Sequence, residues 1–408
     1  VPRVVLGVSG GIAAYKAVEL LRRLTESGHE VRVVPTAAAL QFVGAPTWAA
    51  LSGSPVSAST WDDVHEVPHV RIGQAADLVV VAPATADLLA RAAHGLADDL
   101  LTSTLLTARC PVVLAPAMHT EMWEHPATRD NVALLRERGV VVVEPAVGRL
   151  TGADSGAGRL PEPDELFRVC TAVLARREAG ADLGGRRVVV SAGGTREHLD
   201  PVRYLGNRSS GRQGHALART AVARGAEVVL VTASSLPDVA GAKVLRVASA
   251  AQLSDAVLAE AVDADAVVMA AAVADYRPVD RSPTKRKKTD TLTVELVQNP
   301  DVLAELGRRR AAGTHPPQVL VGFAAETGDA DGGVLDHGRA KLARKGCDLL
   351  VVNEVGEPGH PTGFEVDQNA AVVLAADGSS HEVPLGSKEA LADAVWDLVA
   401  QRLLERPR

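Results

Sequence analysis

Two glycine turns, each opening a long stretch of this 408-residue chain, are suited to bring backbone N–H groups up to a phosphate. The first, Ser9-Gly10-Gly11-Ile12, follows the apolar run RVVLGV and leads into a helical pattern. Glycine lets a chain turn tightly, and a helix N-terminus offers an anion unpaired N–H groups and a positive dipole. The second, Ser191-Ala192-Gly193-Gly194, runs into a loop rich in Arg, Asn and Ser that ends at Ser209-Ser210-Gly211. Either turn alone fits an ordinary strand-to-helix corner, and Ser209 or Ser210 fits a plain helix N-cap. His69 precedes the run DLVVVAP and His119 follows PVVLAPAM. Imidazoles titrate near neutrality, which suits proton transfer, although a lone histidine is more often a packing residue. Further on, Lys285 to Lys288 form the basic run KRKK. Lys341 and Lys345, four apart, share a helical face from which both reach phosphates or simply water.

The elements that must position these groups read as alternating strands and helices. From Ala13 the apolar residues Ala17, Leu20, Leu21 and Leu24 recur at helical spacing, Gly28 ends the helix, and EVRVV is a second strand. Val4 to Val34 therefore form a βαβ unit with its glycine turn between strand and helix. DLVVVAP, PVVLAP and VVVVEP continue the alternation, so the first half is predicted to be a doubly wound α/β domain. The small-residue stretch AGADLGGRR marks a boundary, giving domains at 1–180 and 186–408. From Val188 the scheme repeats, with a helix predicted from Gly211 to Arg224 and later strands in EVVLVT, DAVVMAAAVADY, QVLVGFAAET and DLLVVNEV. NAAVVLAA and HEVPL close the second sheet before a final helix from Ser387 to Leu404. In open α/β sheets ligands bind beyond the carboxyl ends of the strands.

Composition excludes several classes. Hydrophobic residues make up 47% and charged residues 23%, as in globular proteins, and no run approaches the roughly 20 apolar residues that cross a bilayer. The N-terminal segment lacks the features of a signal peptide, and three cysteines without metal-like spacing suit a reducing, cytoplasmic setting. The net charge of -7 is shared by both halves and aromatics are only 3%, which argues against nucleic acid as a partner. An NAD-dependent dehydrogenase is disfavoured too: there is no GxGxxG, and the second strand ends at Val34-Pro35-Thr36 without an acidic residue for a ribose diol. A mononucleotide suits the first turn better.

The stretch PHVRIGQAADLVVVAPATADLLARAAHGLADDLLTSTLL, continued by PVVLAPAMHTEMWEHPAT, resembles the flavin-dependent decarboxylases acting on C-terminal cysteine units, phosphopantothenoylcysteine decarboxylase in particular. The resemblance runs from Val4 to about Leu160. It implies a flavodoxin-like domain with FMN held by Ser9, Gly10, Gly11, Ile12, Thr36, Ala82, Pro83, Ala84 and Thr85, and His69 facing the substrate. The chemistry implied is oxidation of the cysteine thiol to a thioaldehyde, loss of CO2 and return of the hydride, with protein groups moving protons. Two departures stand out. His119 occupies a position where an Asn is expected to bind the substrate carboxylate, and Gly152, within LTGADSGAGRL, stands where relatives carry a proton-donating flap Cys. His119 or a water is the expected replacement donor.

SAGGTREHLDPVRYLGNRSSGRQGHALA resembles the signature of phosphopantothenate-cysteine ligase, and the resemblance continues from Val188 to the C-terminal helix. It implies a second Rossmann-like domain in which Arg203, Asn207, Ser209, Ser210 and Gly211 hold phosphopantothenate, with Asn207 orienting the acyl intermediate. CTP is implied at Met269, Ala270, Ala271, Asp275, Lys285, Pro300, Asp301, Val302, Leu303, Phe323, Lys341 and Lys345, with Lys285 catalytic and Mg2+ near Asp275. Phe323 fits the core equally well, and KRKK fits a solvated surface. The resemblance also implies a homo-oligomer in which trimers of the first domain are joined by dimers of the second into a dodecamer. A flavin-binding regulatory subunit is the rival from another class, since the flavodecarboxylase-like fold also occurs in phosphatase inhibitors. The presence of His69 and a complete second half speaks against it.

Overall fold

The computed structural model describes residues 1–56, 67–150, 154–176, 180–287, 291–326, 333–354 and 368–405. The chain divides into two compact units, one of residues 1–185 with 221–227 and 240–242, the other of residues 186–220, 228–239 and 243–408.

In the first unit a five-stranded sheet is built from β1 (Arg3–Val8), β2 (Glu30–Pro35), β3 (Leu78–Ala84), β4 (Val112–Pro116) and β5 (Val141–Val142), in the order β2-β1-β3-β4-β5. All four pairings are parallel. This is the flavodoxin-like order, in which connections from β1 and β3 diverge and leave a crevice at the strand ends. Helices α1 (Ala14–Glu26), α2 (Ala45–Ser52), α3 (Pro68–Ala75), α4 (Ala86–His94), α5 (Leu100–Thr107), α6 (Thr120–Glu124), α7 (Pro126–Glu137) and α8 (Pro163–Ala175) accompany it. Helix α1 buries Ala17, Leu20, Leu21 and Leu24, the stripe its sequence predicts, and Gly28 beyond its end takes the left-handed φ of +87°. Every residue of β3 is buried, as expected of a central parallel strand covered on both faces. A hairpin of β6 (Ala146–Arg149) and β7 (Ser155–Arg159) stands apart from the sheet.

The second unit's sheet draws on β8 (Arg187–Ala192), β11 (Glu227–Thr232), β12 (Ala242–Arg246), β13 (Ala266–Met269), β16 (Val319–Glu326), β17 (Leu349–Glu354), β18 (Gln368–Ala375) and β19 (Ser380–Ser387). Two short ribbons flank it, β9 (Glu197–His198) with β10 (Tyr204–Leu205), and β14 (Tyr276–Pro278) with β15 (Leu296–Gln298). Its order, β12-β11-β8-β13-β16-β17-β18-β19, matches the Rossmann pattern over six strands, with β8/β13 as the switch point. Strands β8, β13, β16 and β17 run parallel, whereas β18 and β19 turn the edge antiparallel. The accompanying helices are α9 (Arg212–Ala223), α10 (Ala250–Glu260), α11 (Val302–Ala311), α12 (Val334–Lys345) and α13 (Lys388–Leu404). Helices α10, α11 and α12 bury Leu253, Val257, Leu306 and Leu342 against Val267, Leu320, Leu350 and Val352 of the sheet. Helix α13 packs on β16, β18 and β19 and also meets α9, where the buried Trp396 donates its indole N–H to the Leu217 carbonyl at 2.9 Å.

Candidate functional sites

At the first turn, the buried Ser9 ties β1 to β3. Its hydroxyl donates to the Pro83 carbonyl at 2.7 Å and accepts the Thr85 N–H at 3.0 Å. Thr85 in turn caps α4, accepting the Leu88 N–H at 3.3 Å. Thr36 accepts the Ala39 N–H at 3.2 Å. A Cβ on Gly10 would lie 2.4 Å from that of Ala38, so only glycine fits there, whereas a Cβ on Gly11 would meet nothing within 4 Å. Ser9 to Gly11, Ala82 to Thr85 and Thr36 therefore converge at the crevice beyond β1, β2 and β3. Ile12 stands beside them, exposed with Tyr15 and Phe42.

His119 follows β4 and carries an exposed side chain, while its carbonyl accepts the first turn of α6. Its segment is where the hairpin docks: the Met118 N–H donates to the Gly158 carbonyl at 2.9 Å, and a Cβ on Gly156 would lie 2.2 Å from the Thr120 hydroxyl. Gly152 lies outside the described residues. His69 sits in the first turn of α3 with its carbonyl accepting from the Thr107 hydroxyl at 2.7 Å. Its Nδ1 is buried without a hydrogen-bond partner among the described residues, an arrangement that costs free energy unless something pairs with it. No hydrogen bond among the described residues joins His69 to the Ser9–Thr85 cluster. The cysteines offer no replacement for a flap thiol. Burial pushes Cys110, Cys170 and Cys347 up to about 11, 12 and 11, and Cys110 precedes β4, at the end of the sheet away from the crevice.

The second site is a cavity of about 550 Å³ at the switch point. Asn207, Ser209, Ser210 and Gly211 line it, as do Ala270, Ala271, Asp275, Phe323 and Lys341. Close backbone approach builds this wall. A Cβ on Gly194 would lie 2.5 Å from the Asn207 carbonyl oxygen, and Gly193 and Gly211, at φ +83° and +79°, both press on Ser234. Behind them the buried His215 pairs through Nε2 with the Ser234 hydroxyl at 3.0 Å. Burial, then Arg219 and Arg246, lower its pKa to about 4, so the ring is neutral. Asn207 donates its amide to the Val273 carbonyl at 3.0 Å, and the buried Ser191 and Thr195 hydroxyls accept the N–H groups of Ala271 and Ala274.

Other residues named from the sequence fall outside this lining. Met269, Val302 and Leu303 are core side chains, so any ligand contact there runs through backbone; their apolar character alone explains their placement. Asp301 caps α11 and is paired with Lys345, while Pro300 is exposed. Lys341 is paired with Glu326 at 3.0 Å. Arg203 and Lys285 belong to two loops joined by the buried Asp200, whose carboxylate accepts the N–H groups of Val202, Arg203 and Arg286. Although burial works the other way, these bonds hold that carboxyl below its ordinary pKa. The Lys285 side chain is exposed, and Lys288 lies outside the described residues. Among the described residues no cluster of three or more His, Cys, Asp or Glu is arranged to hold a metal, and Asp275 stands exposed by itself. The cavity also takes in Arg208, Arg212, Gln213, Asn353, Asn369 and Lys388, none of which sequence reasoning singled out. The only signal for Asn353 and Asn369 was polarity within otherwise apolar strands.

Two nucleotide-type crevices, one flavodoxin-like and one Rossmann-like, define a fused flavoprotein-type α/β enzyme. The family described as the DNA/pantothenate metabolism flavoprotein C-terminal domain matches residues 183–403, and the Flavoprotein family matches residues 1–175. The coenzyme A biosynthesis bifunctional protein CoaBC of Mycobacterium tuberculosis is 60% identical over 403 residues, covering 97% of this chain and 96% of that protein. The Vibrio cholerae protein of the same name is 43% identical over 407 residues, covering 98% of each. A crystal structure of the C-terminal domain of a CoaBC protein aligns at 31% identity over 55% of this chain and all of that one, with a TM-score of 0.46. The chain belongs to the CoaBC family of bifunctional coenzyme A biosynthesis enzymes. That membership, over nearly the whole length, sets aside the regulatory-subunit reading. No described helix is long and apolar enough to cross a membrane.

Proposed function

We propose that residues 186–408 join 4'-phosphopantothenate to cysteine through an acyl-cytidylate made from CTP, and that residues 1–180 decarboxylate the product to 4'-phosphopantetheine with FMN. The observation that carries this reading is the pairing of an open glycine crevice in one unit with a polar, cation-lined cavity in the other. In the second unit the N–H groups at the start of α9, with Ser209, Ser210 and Gly211, receive the substrate phosphate. Arg203 shares in that recognition. Asn207, held by Val273, orients the acyl group. Lys285, on the loop fixed by Asp200, offsets the charge that builds on the α-phosphorus as the carboxylate attacks and pyrophosphate departs. The cysteine amine then displaces CMP. Lys341 and Lys345 exchange their carboxylate partners for phosphate oxygens, while the backbone around Ala270, Ala271 and Pro300 to Leu303, with Phe323, flanks the nucleoside. Mg2+ would be held mainly by the triphosphate, with Asp275 as the protein's contribution.

In the first unit the open space over Gly11 and the Ser9–Thr85 bridge fit the phosphate end of FMN, with Thr36 and Ala82 to Ala84 along its flank. Bound FMN supplies the hydride acceptor and donor for oxidation of the substrate thiol. His69 moves the proton during that oxidation, its unpartnered Nδ1 being the group that requires a partner. His119, at the foot of the hairpin, holds the carboxylate and returns a proton after CO2 leaves. The exposed Ile12, Tyr15 and Phe42 beside the first turn support cover by further protomers, in a cytoplasmic homo-oligomer of trimers joined by dimers into a dodecamer. The test is to incubate the full chain with phosphopantothenate, cysteine and either CTP or ATP, following pyrophosphate and CO2 separately. Pyrophosphate with CTP, followed by cysteine-dependent CO2, is expected. Pyrophosphate with ATP alone would overturn the nucleotide assignment, and failure to release CO2 from supplied phosphopantothenoylcysteine would overturn the first.

A further inference from the structure

The two oxygens of the buried Asp200 carboxylate do different work. Oδ1 accepts the Val202 N–H at 2.8 Å and the Arg203 N–H at 2.9 Å, closing the turn in which Asp200 itself lies. Oδ2 serves another part of the chain: it accepts the Arg286 N–H at 3.2 Å, from a loop 86 residues on, and lies 3.4 Å from Arg203 Nε. Arg203 completes the link by donating Nη2 to the Arg286 carbonyl at 2.6 Å. Arg286 is thus held at both its N–H and its C=O, one residue beyond Lys285. The Ser282 N–H, which donates to the Leu199 carbonyl at 3.0 Å, fastens the same two loops just before Lys285. Burying a carboxylate is costly, and the turn alone does not require one, since an Asn or Ser side chain also accepts N–H groups a few residues on. What a carboxylate adds is a second, charged acceptor, and here that acceptor goes to the Lys285 loop and to Arg203.

We propose that Asp200 is a positioning residue of the ligase reaction: through Oδ2 it fixes the backbone from which Lys285 reaches the reacting phosphoryl group, in register with Arg203. This rests on the ligase reading above and on the part Lys285 plays in it. The Lys285 side chain is exposed and no hydrogen bond among the described residues holds it, so its backbone is what aims it. Because Asp200 acts through Arg286 and not on a ligand, its loss should appear in turnover and not in nucleotide binding. Asp200→Asn separates the two oxygens. The remaining oxygen can keep the N–H groups of Val202 and Arg203, but the new amide then points its own N–H groups at the Arg286 N–H and the Arg203 guanidinium. Displacing a catalytic group by about 1 Å can cost about a hundredfold in rate, so kcat for pyrophosphate release is expected to fall by about 10 to 10²-fold, with KM for CTP unchanged.

The decisive measurement combines the two substitutions. In a Lys285→Gln background, Asp200→Asn should cost almost nothing more, because the group it positions is already gone. Thermal unfolding and CO2 release from supplied phosphopantothenoylcysteine serve as controls on folding. Should Asn unfold the second unit, Asp200→Ser, whose hydroxyl can still accept the Val202 N–H, gives the same comparison. The inference is overturned if Asp200→Asn turns over at the wild-type rate, or if its cost multiplies in full with that of Lys285→Gln, as that of a merely structural residue would. Wild-type pyrophosphate release by Lys285→Gln alone would instead remove the role given to Lys285, and the inference with it. If the unaltered enzyme makes no pyrophosphate with CTP, the ligase reading itself fails.

Discussion

The two glycine turns solve one problem differently. At the first, a single hydroxyl, that of Ser9, bridges two strand ends, and the turn remains open over Gly11. At the second, four glycines are pressed against neighbours: Gly193, Gly194, Gly211 and Gly214 would each place a Cβ within 2.6 Å of another atom. There the hub is a serine backed by a neutral histidine. The first turn thus spends Gly10 on packing against Ala38 and leaves Gly11 open, whereas the second commits all four glycines to its own packing.

The sharpest separation is expected from paired substitutions. His69→Asn should retain the yellow flavin colour yet slow CO2 release by about 10² to 10⁴-fold, the worth of a positioned proton-transfer group. Lys285→Gln should slow pyrophosphate release by about 10² to 10³-fold without touching decarboxylation of supplied intermediate. If either variant impaired both activities equally, the division of labour between the halves would be wrong.

A smaller effect distinguishes the hubs by pH. His215 titrates at about 4 in the folded chain against an ordinary 6.5, so the unfolded chain binds the extra proton first. Its contribution is complete above about pH 6.5 and is lost as the pH falls toward 4, amounting to about 3 kcal/mol in all. Urea unfolding of the second unit should weaken over that interval, and His215→Gln should flatten the dependence. An unchanged slope in the variant would show that other groups govern it. Ser9 has no ionisable counterpart, and the first turn should be indifferent to this titration.

The smallest effect tests the glycines themselves. Gly193→Ala should lower stability by about 1 to 3 kcal/mol, because a side chain there is strained and meets the Ser234 backbone. Gly11→Ala should leave the melting temperature unchanged while weakening flavin retention in dialysis. Destabilisation of similar size at both positions would erase the contrast.

How much of this was legible beforehand follows from the range of the interactions. Strand runs, the α1 stripe and both glycine turns are local patterns, and the structure places them where spacing does. The predicted helix from Gly211 begins at Arg212 because Gly211 takes a left-handed φ, and it ends at Ala223, one residue short of Arg224. Met269 and Leu303 carried motif positions, but their side chains serve the core. The ribbons β9–β10 and β14–β15 lacked any alternation long enough to announce them.

By itself the sequence determined two α/β halves, their glycine turns and the residue types around them, since backbone conformation and hydrophobic period act over a few residues. Only the folded chain decided that Gln213, Asn353 and Asn369 share one wall, that Asp200 joins the Arg203 and Lys285 loops, and that Lys341 and Lys345 rest on carboxylates. Those are contacts between segments far apart in the chain, and hydrogen bonds made across such distances leave no period behind in the order of residues.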